Sequence, residues 1–246
     1  MEKAWILAPK ETEEAFFQRK ETFEQVSLPK EKNLSIPLYD IYELEAFILY
    51  KNDSLPLWQG AVLWEYQTLE GKKYPVIQLR KTFSNIYKKE ELLAHELVHA
   101  ARFAFNEPFF EEMLAYQTSP YAFRRFFGPL FIYPFESALF ALTCLAPPFI
   151  SLYFDSFLGS WILLSLAFFL FTRLLILHGF FTLCKRNLEK AGVLSKFSLA
   201  VMVRLSDREI IKTALSSKKK TLKYFEKKSC KDIRFQQILD SYFNKN

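Results

Sequence analysis

Residues 89–116 read KEELLAHELVHAARFAFNEPFFEEMLAY, and the pattern breaks once within them. From about Asn85 to Phe105 apolar residues recur at the spacing of one helix face, and no proline interrupts residues 76–107. Leu92, Leu93, Ala94, Leu97, Val98, Ala100 and Ala101 are all uncharged, as a helix buried in a domain requires. Asn106-Glu107-Pro108 then ends it, because proline lacks the amide hydrogen that a helix interior needs. A second helix is predicted to begin near Phe109 and, across so short a turn, to run back antiparallel to the first.

Working outward, residues 60–69 and 74–80 are rich in aromatic and branched side chains. They flank Glu70-Gly71-Lys72-Lys73, the pattern of a β-hairpin with a four-residue turn. Further upstream two helices are predicted. One covers 10–26, with Phe16, Phe17, Phe23 and Val26 at helical spacing, and stops before Pro29. The other covers 39–50, with Ile41, Leu44, Ile48 and Leu49 on one stripe. No internal repeat is visible.

The long helix carries His95-Glu96-Leu97-Val98-His99, an H-E-x-x-H. At i and i+4 both imidazoles leave one face a turn apart, close enough to hold a single cation. Glu96 is rotated by about 100° from His95, so it flanks the metal without ligating it and can take a proton from water held there. Neutral imidazoles make a borderline-soft site best suited to zinc. A catalytic zinc needs a third protein ligand and one open position. The returning helix would bring Glu111 or Glu112 beside the histidines, and the turn alone leaves that choice open.

This constellation resembles the gluzincin metallopeptidases, in which H-E-x-x-H on one helix is completed by a glutamate on the next. The resemblance spans about residues 60–118, and its specific part is 92–116. It implies zinc, peptide-bond hydrolysis with Glu96 as the base, and a zincin-like region. Within that group the glutamate often stands in E-x-x-A, as Glu112-Met113-Leu114-Ala115 does, which implies Glu112 as the ligand and Glu111 as its exposed neighbour. In several such families an Asp or Asn follows that alanine and orients a ligating histidine. Here Tyr116 stands instead, a candidate hydrogen-bond donor to a ligand or to the oxyanion. The resemblance also implies an edge strand beside the cleft that pairs with extended substrate. Val76, Ile77, Gln78, Leu79 and Arg80 are the candidate, with a purely structural hairpin as the plainer alternative.

The remainder of the 246 residues partitions by charge. Residues 1–125 are balanced, 126–184 carry only Glu136, Asp155 and Arg173, and 185–246 hold 16 basic against 6 acidic side chains. Uncharged stretches at 137–154 and 156–172 each approach the ~17–20 residues that span ~30 Å of hydrocarbon, and they predict a transmembrane helical hairpin. Pro129, Pro134, Pro147 and Pro148 lie mostly toward the ends of its first segment, with Pro134 placed to kink it. Glu136 and Arg173 are placed to pair across the hairpin or to snorkel separately, and His178 reads as an interfacial residue. Arg124-Arg125 before the block and Lys185, Arg186 and Lys190 after it put both termini and the catalytic region in the cytoplasm. Lys88-Lys89-Glu90-Glu91 lead straight into the active helix, so the metal site belongs outside the lipid. The start of the chain shows no signal-peptide pattern, and Cys144, Cys184 and Cys230 form no disulfide framework, which fits a reducing compartment.

In the tail, Ser206-Asp207-Arg208-Glu209 is a capping-box start for a helix to about Ser216. Lys218, Lys219, Lys220, Lys223, Lys227, Lys228, Lys231 and Arg234 follow, a basic run suited to anionic lipid headgroups or simply to a solvated face. No nucleic-acid-binding module is recognisable, and no glycine-rich phosphate loop is present. The expected fold is α+β: a mostly helical zincin-like catalytic region with a small antiparallel sheet over 1–125, a two-helix transmembrane hairpin over 126–184, and a helical basic cytoplasmic tail over 185–246. The expected function is a membrane-anchored zinc-dependent metallopeptidase acting on peptide or protein substrates. The alternative is a non-catalytic integral membrane protein whose basic tail binds lipid or a partner, with a relic or structural metal site. An intact Glu96 favours the enzyme, since a structural site needs no base, whereas Tyr116 leans the other way.

Overall fold

The computed structural model describes residues 6–25, 41–42, 49–51, 54–56, 59–67, 71, 73–80, 88–154 and 157–243. The described residues are mostly helical with one small sheet. The first helix, α1 (Glu13–Gln25), falls where the spacing predicted it, while Val26 and Pro29 lie outside the described residues. Strands β1 (Leu49–Lys51), β2 (Ala61–Gln67) and β3 (Lys73–Leu79) form the sheet in the order β1-β3-β2. β2 and β3 are the expected hairpin, antiparallel with Leu63 opposite Ile77; Lys73, expected in the turn, is already in the ladder opposite Gln67.

Of the helix expected over 39–50, Ile41 and Tyr42 are helical, residues 43–48 lie outside the described residues, and β1 corrects the end. Leu49 and Tyr50 are extended and pair in parallel with Ile77 and Gln78, although Leu44 and Ile48 lie outside the described residues. That pairing also corrects the edge-strand candidate. Val76, Ile77, Gln78 and Leu79 belong to the central strand, hydrogen-bonded on both sides and buried, and Arg80 is tied to the carbonyls of Leu55 and Pro56. Among the described residues β2 is the sheet edge on the far side from β1.

The quoted stretch folds as α2 (Lys89–Arg102), a 3-10 turn Phe103–Phe105 and α3 (Glu111–Tyr116). Leu93, Leu97, Ala100 and Ala101 bury one face of α2 against the sheet and the C-terminal helices, and Glu90 and Glu91 complement its N-terminal dipole. α4 (Ala122–Phe127) follows, then α5 (Pro134–Phe154) and α6 (Leu158–Ala191). Pro134 opens α5 at its first position, where it costs little, so it does not kink the helix; Pro147 and Pro148 lie inside it.

Among the described residues α6 alone is long and apolar enough by itself to cross a membrane, and only 17% of its most apolar window is buried. α5 meets the same test only together with Ala122–Leu130, from which it turns by 86°. The two long helices pack on each other. Glu136 accepts both guanidinium ends of Arg173 at 2.5 and 2.7 Å, the pairing considered from sequence. Gly159 lets α6 approach closely, since a Cβ there would stand 2.8 Å from Pro147 Cα. His178 stacks on Phe126, their centroids 4.6 Å apart, and bonds its carbonyl.

At ~1.5 Å per residue the 34 residues of α6 extend about 50 Å, well beyond a bilayer core. Its second half, with Leu177, Phe181, Cys184 and Leu188 buried, runs into the same core as α2 and α3. The helices α7 (Ser198–Met202), α8 (Asp207–Ala214), α9 (Lys218–Ser229) and α10 (Ile233–Ile238) complete that core with Val201, Met202, Ile210, Phe225, Phe235 and Ile238. The described residues of the C-terminal region thus share one core with α2 and α3. Ser206 and Glu209 form the expected capping box. Arg234, counted among the surface bases, is 2% exposed and paired to Glu209 at 2.8 Å and Asp232 at 3.1 Å.

Candidate metal centre

α2 presents His95 and His99 one turn apart, opposite its buried apolar face. Their Nε2 atoms are 3.2 Å apart and the rings meet edge to face. The chain reverses after Phe105 through Asn106, whose left-handed conformation (φ 50°, ψ 46°) an asparagine adopts more readily than most residues. α3 then brings Glu112 against both imidazoles. Its Oε1 lies 3.4 Å from His99 Nε2 and its Oε2 3.5 Å from His95 Nε2. His95, His99 and Glu112 thus form a group that could hold a metal ion.

Glu111 is not the exposed neighbour that the sequence implied. Its Oε1 lies 2.7 Å from His99 Nδ1, on the far side of the ring from Glu112. When Nδ1–H donates to that carboxylate, Nε2 is the nitrogen turned toward His95 and Glu112. The two successive glutamates of α3 therefore meet different nitrogens of one histidine. Tyr116 sets its ring edge-on against His95 at 4.6 Å. The ring is itself packed on the backbone of Gly128, where a Cβ would fall 2.4 Å from ring carbons, so a larger residue at 128 would displace it.

Glu96 and His95 share a cleft of about 460 Å³. Gly60 and Ala61 at the start of β2 line one side, and Tyr116, Phe123 and Phe127 line another. The strand that lines this cleft is β2, through Ala61, and no residue of 76–80 lines it. The cleft wall formed by α4 is anchored to α2 through Glu91, which accepts Ser119 Oγ at 2.5 Å and pairs with Arg124 at 2.8 Å.

Ionisable groups crowd this place. Burial pushes the Glu96 carboxyl up to about 7, with the His99 imidazole pulling against it and the Glu112 and Glu111 carboxylates adding to it. Burial also raises Glu112, again opposed by His99. His95 is driven well below the ordinary histidine range, first by burial and then by the neighbouring His99. For His99 burial opposes the charged form, yet Glu112, the hydrogen-bonded Glu111 and Glu96 together push it up to about 10. Three carboxyls and two imidazoles in so little solvent need protons or a cation to balance them.

Sequence reasoning placed His95, Glu96, His99 and Glu112 together and missed two contributors. Arg102, fully buried at the end of α2, donates to the carbonyls of Val203 and Leu205 at 2.8 Å. Asp207, noted only inside its capping box, reaches the residues just before α3. No local signal marks either, because both partners lie about a hundred residues away. Among known proteins, no family model, no curated protein and no solved structure matches the chain.

Proposed function

We propose that the chain is a membrane-anchored zinc metallopeptidase of gluzincin type, in which His95, His99 and Glu112 hold the metal. The observation that carries this reading is the convergence of three donors, with the two Nε2 atoms 3.2 Å apart and one oxygen of Glu112 within 3.5 Å of each, beside a buried glutamate in an open cleft. A tetrahedral zinc with bonds of ~2.0–2.1 Å needs donors about 3.3–3.4 Å apart, and one ligand atom from each of these residues lies within 4.8 Å of the others, so the donor set suits the ion. Three protein donors leave a fourth position for water or substrate, as a catalytic site requires.

Bound zinc would supply a Lewis acid for a peptide carbonyl and would acidify water. The rest is work for this chain's own side chains. Glu96 accepts a proton from the attacking water on its carboxylate and delivers it to the departing nitrogen. Glu111 holds His99 in the tautomer that leaves Nε2 free to ligate. Tyr116 fixes the plane of the His95 ring. β2, rather than residues 76–80, offers its open edge beside the cleft to extended substrate.

α5 and α6 form the membrane hairpin in this reading, with the Glu136–Arg173 pair near the cytoplasmic boundary and both termini cytoplasmic. Exposed Lys218, Lys219, Lys220 and Lys223 then face anionic headgroups. The decisive test is Glu96→Gln in the purified full chain, assayed against a fluorogenic peptide library. Zinc binding should persist while hydrolysis falls by at least ~100-fold, the low end for loss of a general base. Equal hydrolysis by wild type and variant would refute the proposal. Tight zinc in a wild type inert toward every peptide would favour the structural metal site instead.

A further inference from the structure

We infer that Asp207 is a positioning residue for the metal centre: it clamps the turn that presents Glu111 and Glu112 to the histidines. The inference rests on the metal-site reading above and adds a residue from the opposite end of the chain to it.

α3 has no local means of fixing its own start. The residue before it is Phe110, and no side chain of that turn caps the helix. Asp207 supplies the missing acceptors. Its Oδ2 accepts the Phe109 N–H at 2.8 Å and its Oδ1 accepts the Phe110 N–H at 3.3 Å. The bond is returned, for the Asp207 N–H donates to Glu107 Oε2 at 2.6 Å. Arg102, the last residue of α2, places Nη2 3.7 Å from Asp207 Oδ1. One side chain thus touches the end of α2, the connecting turn and the start of α3. Those are the three points that set where Glu112 lies relative to His95 and His99.

Asp207 is also held firmly enough to serve as a reference. Ser206 and Glu209 fix the start of α8 through the capping box, and Glu209 is pinned in turn by buried Arg234. A carboxylate that is only 5% exposed pays a desolvation penalty, and burial does raise its pKa, with Arg102 pulling it back. A metal site needs its donors within about 0.5 Å of working geometry, which is the tolerance such a clamp enforces.

The test compares Asp207→Ala, Asp207→Asn and Phe225→Leu with wild type, as full-length protein in detergent. Phe225→Leu is the stability control, since that ring packs on Phe235 and Phe243 in the same C-terminal core. The readouts are the zinc dissociation constant by competition with a chromophoric chelator, the visible spectrum of the cobalt-substituted protein, and the thermal midpoint without metal. Asp207→Ala should weaken zinc by about 10-fold or more, the usual cost of losing a supporting group, and should change the cobalt spectrum. Asp207→Asn, which keeps one acceptor oxygen, should fall between it and wild type. Phe225→Leu should lower the midpoint and leave zinc affinity and spectrum alone.

Unchanged zinc affinity in Asp207→Ala overturns the inference, as does an equal loss in Phe225→Leu. Should Asp207→Ala fail to fold, Asp207→Asn decides, and wild-type affinity with a wild-type cobalt spectrum overturns the assignment. A wild type that binds no zinc overturns the metal-site reading itself, and the inference with it.

Discussion

Glu111→Ala removes the carboxylate 2.7 Å from His99 Nδ1 and leaves all three donor residues in place. The bond lost joins a half-buried carboxylate to an imidazole, and hydrogen bonds involving a charged group contribute about 1.5–3 kcal/mol. At about 1.4 kcal/mol per tenfold, zinc affinity should fall by roughly 10- to 100-fold. The same range is typical when a metal-binding histidine loses its outer partner. Glu111→Gln keeps an acceptor oxygen without the charge, which is about half as strong, so a loss of roughly 3- to 10-fold is expected. Glu112→Ala deletes a ligand and should empty the site at micromolar zinc. Chelator competition on the purified full chain at fixed pH measures all three. The reasoning is refuted if Glu111→Ala loses its zinc while Glu112→Ala keeps it, for the two glutamates would then have exchanged roles.

Other consequences follow from the packing. Phe225 is fully buried between Phe235 and Phe243, so Phe225→Ala should cost about 3–5 kcal/mol in denaturant unfolding; a loss below 1 kcal/mol would mean that the C-terminal helices stand apart from the core. Arg173→Ala leaves the Glu136 carboxylate only the Ile132 and Tyr133 N–H donors and should cost about 1–3 kcal/mol, and the cycle with Glu136→Ala should show that the two charges are coupled. Additive losses in that cycle would show that the two charges do not interact. Burial, reinforced by Glu209 and opposed by Arg234, pushes Tyr224 up to about 12. Its folded pKa then exceeds the unfolded value near 10, so its contribution to stability is complete below about pH 10 and fades as pH rises toward 12. Tyr224→Phe should lack that component of alkaline destabilisation, and identical pH–stability curves would contradict the shift.

What could be read in advance was local. The 3.6-residue period and the missing prolines placed α2, the Asn-Glu-Pro break placed the turn, and i, i+4 geometry put the two histidines together. The capping box of α8 was legible for the same reason, being fixed by spacing along one helix, while symmetric depth along two helices offered the Glu136–Arg173 pair as one of two readings. β1 was not legible, because Leu49 and Tyr50 continue a helical stripe as easily as they start a strand, and only pairing with Ile77 and Gln78 makes them extended. That non-local pairing moved Val76–Leu79 from the edge to the centre of the sheet. The lysines of α9 hid a similar fact: charge counting sees the outer face, whereas Thr221 and Phe225 on the inner face join the core. Glu111 looked exposed because it is rotated by about 100° from Glu112, yet a histidine has two nitrogens and can receive both. Asp207 left no trace near residue 110, since nothing along the chain marks a partner a hundred residues away.

The most direct measurement is metal content. Full-length protein purified in detergent without added chelator should carry one zinc per chain by elemental analysis, and X-ray absorption should show two imidazoles and one carboxylate bound to it. His95→Ala and His99→Ala proteins should carry none. A wild type that folds and stays empty when zinc is supplied, or one whose zinc persists in both histidine variants, would contradict the assignment of this site.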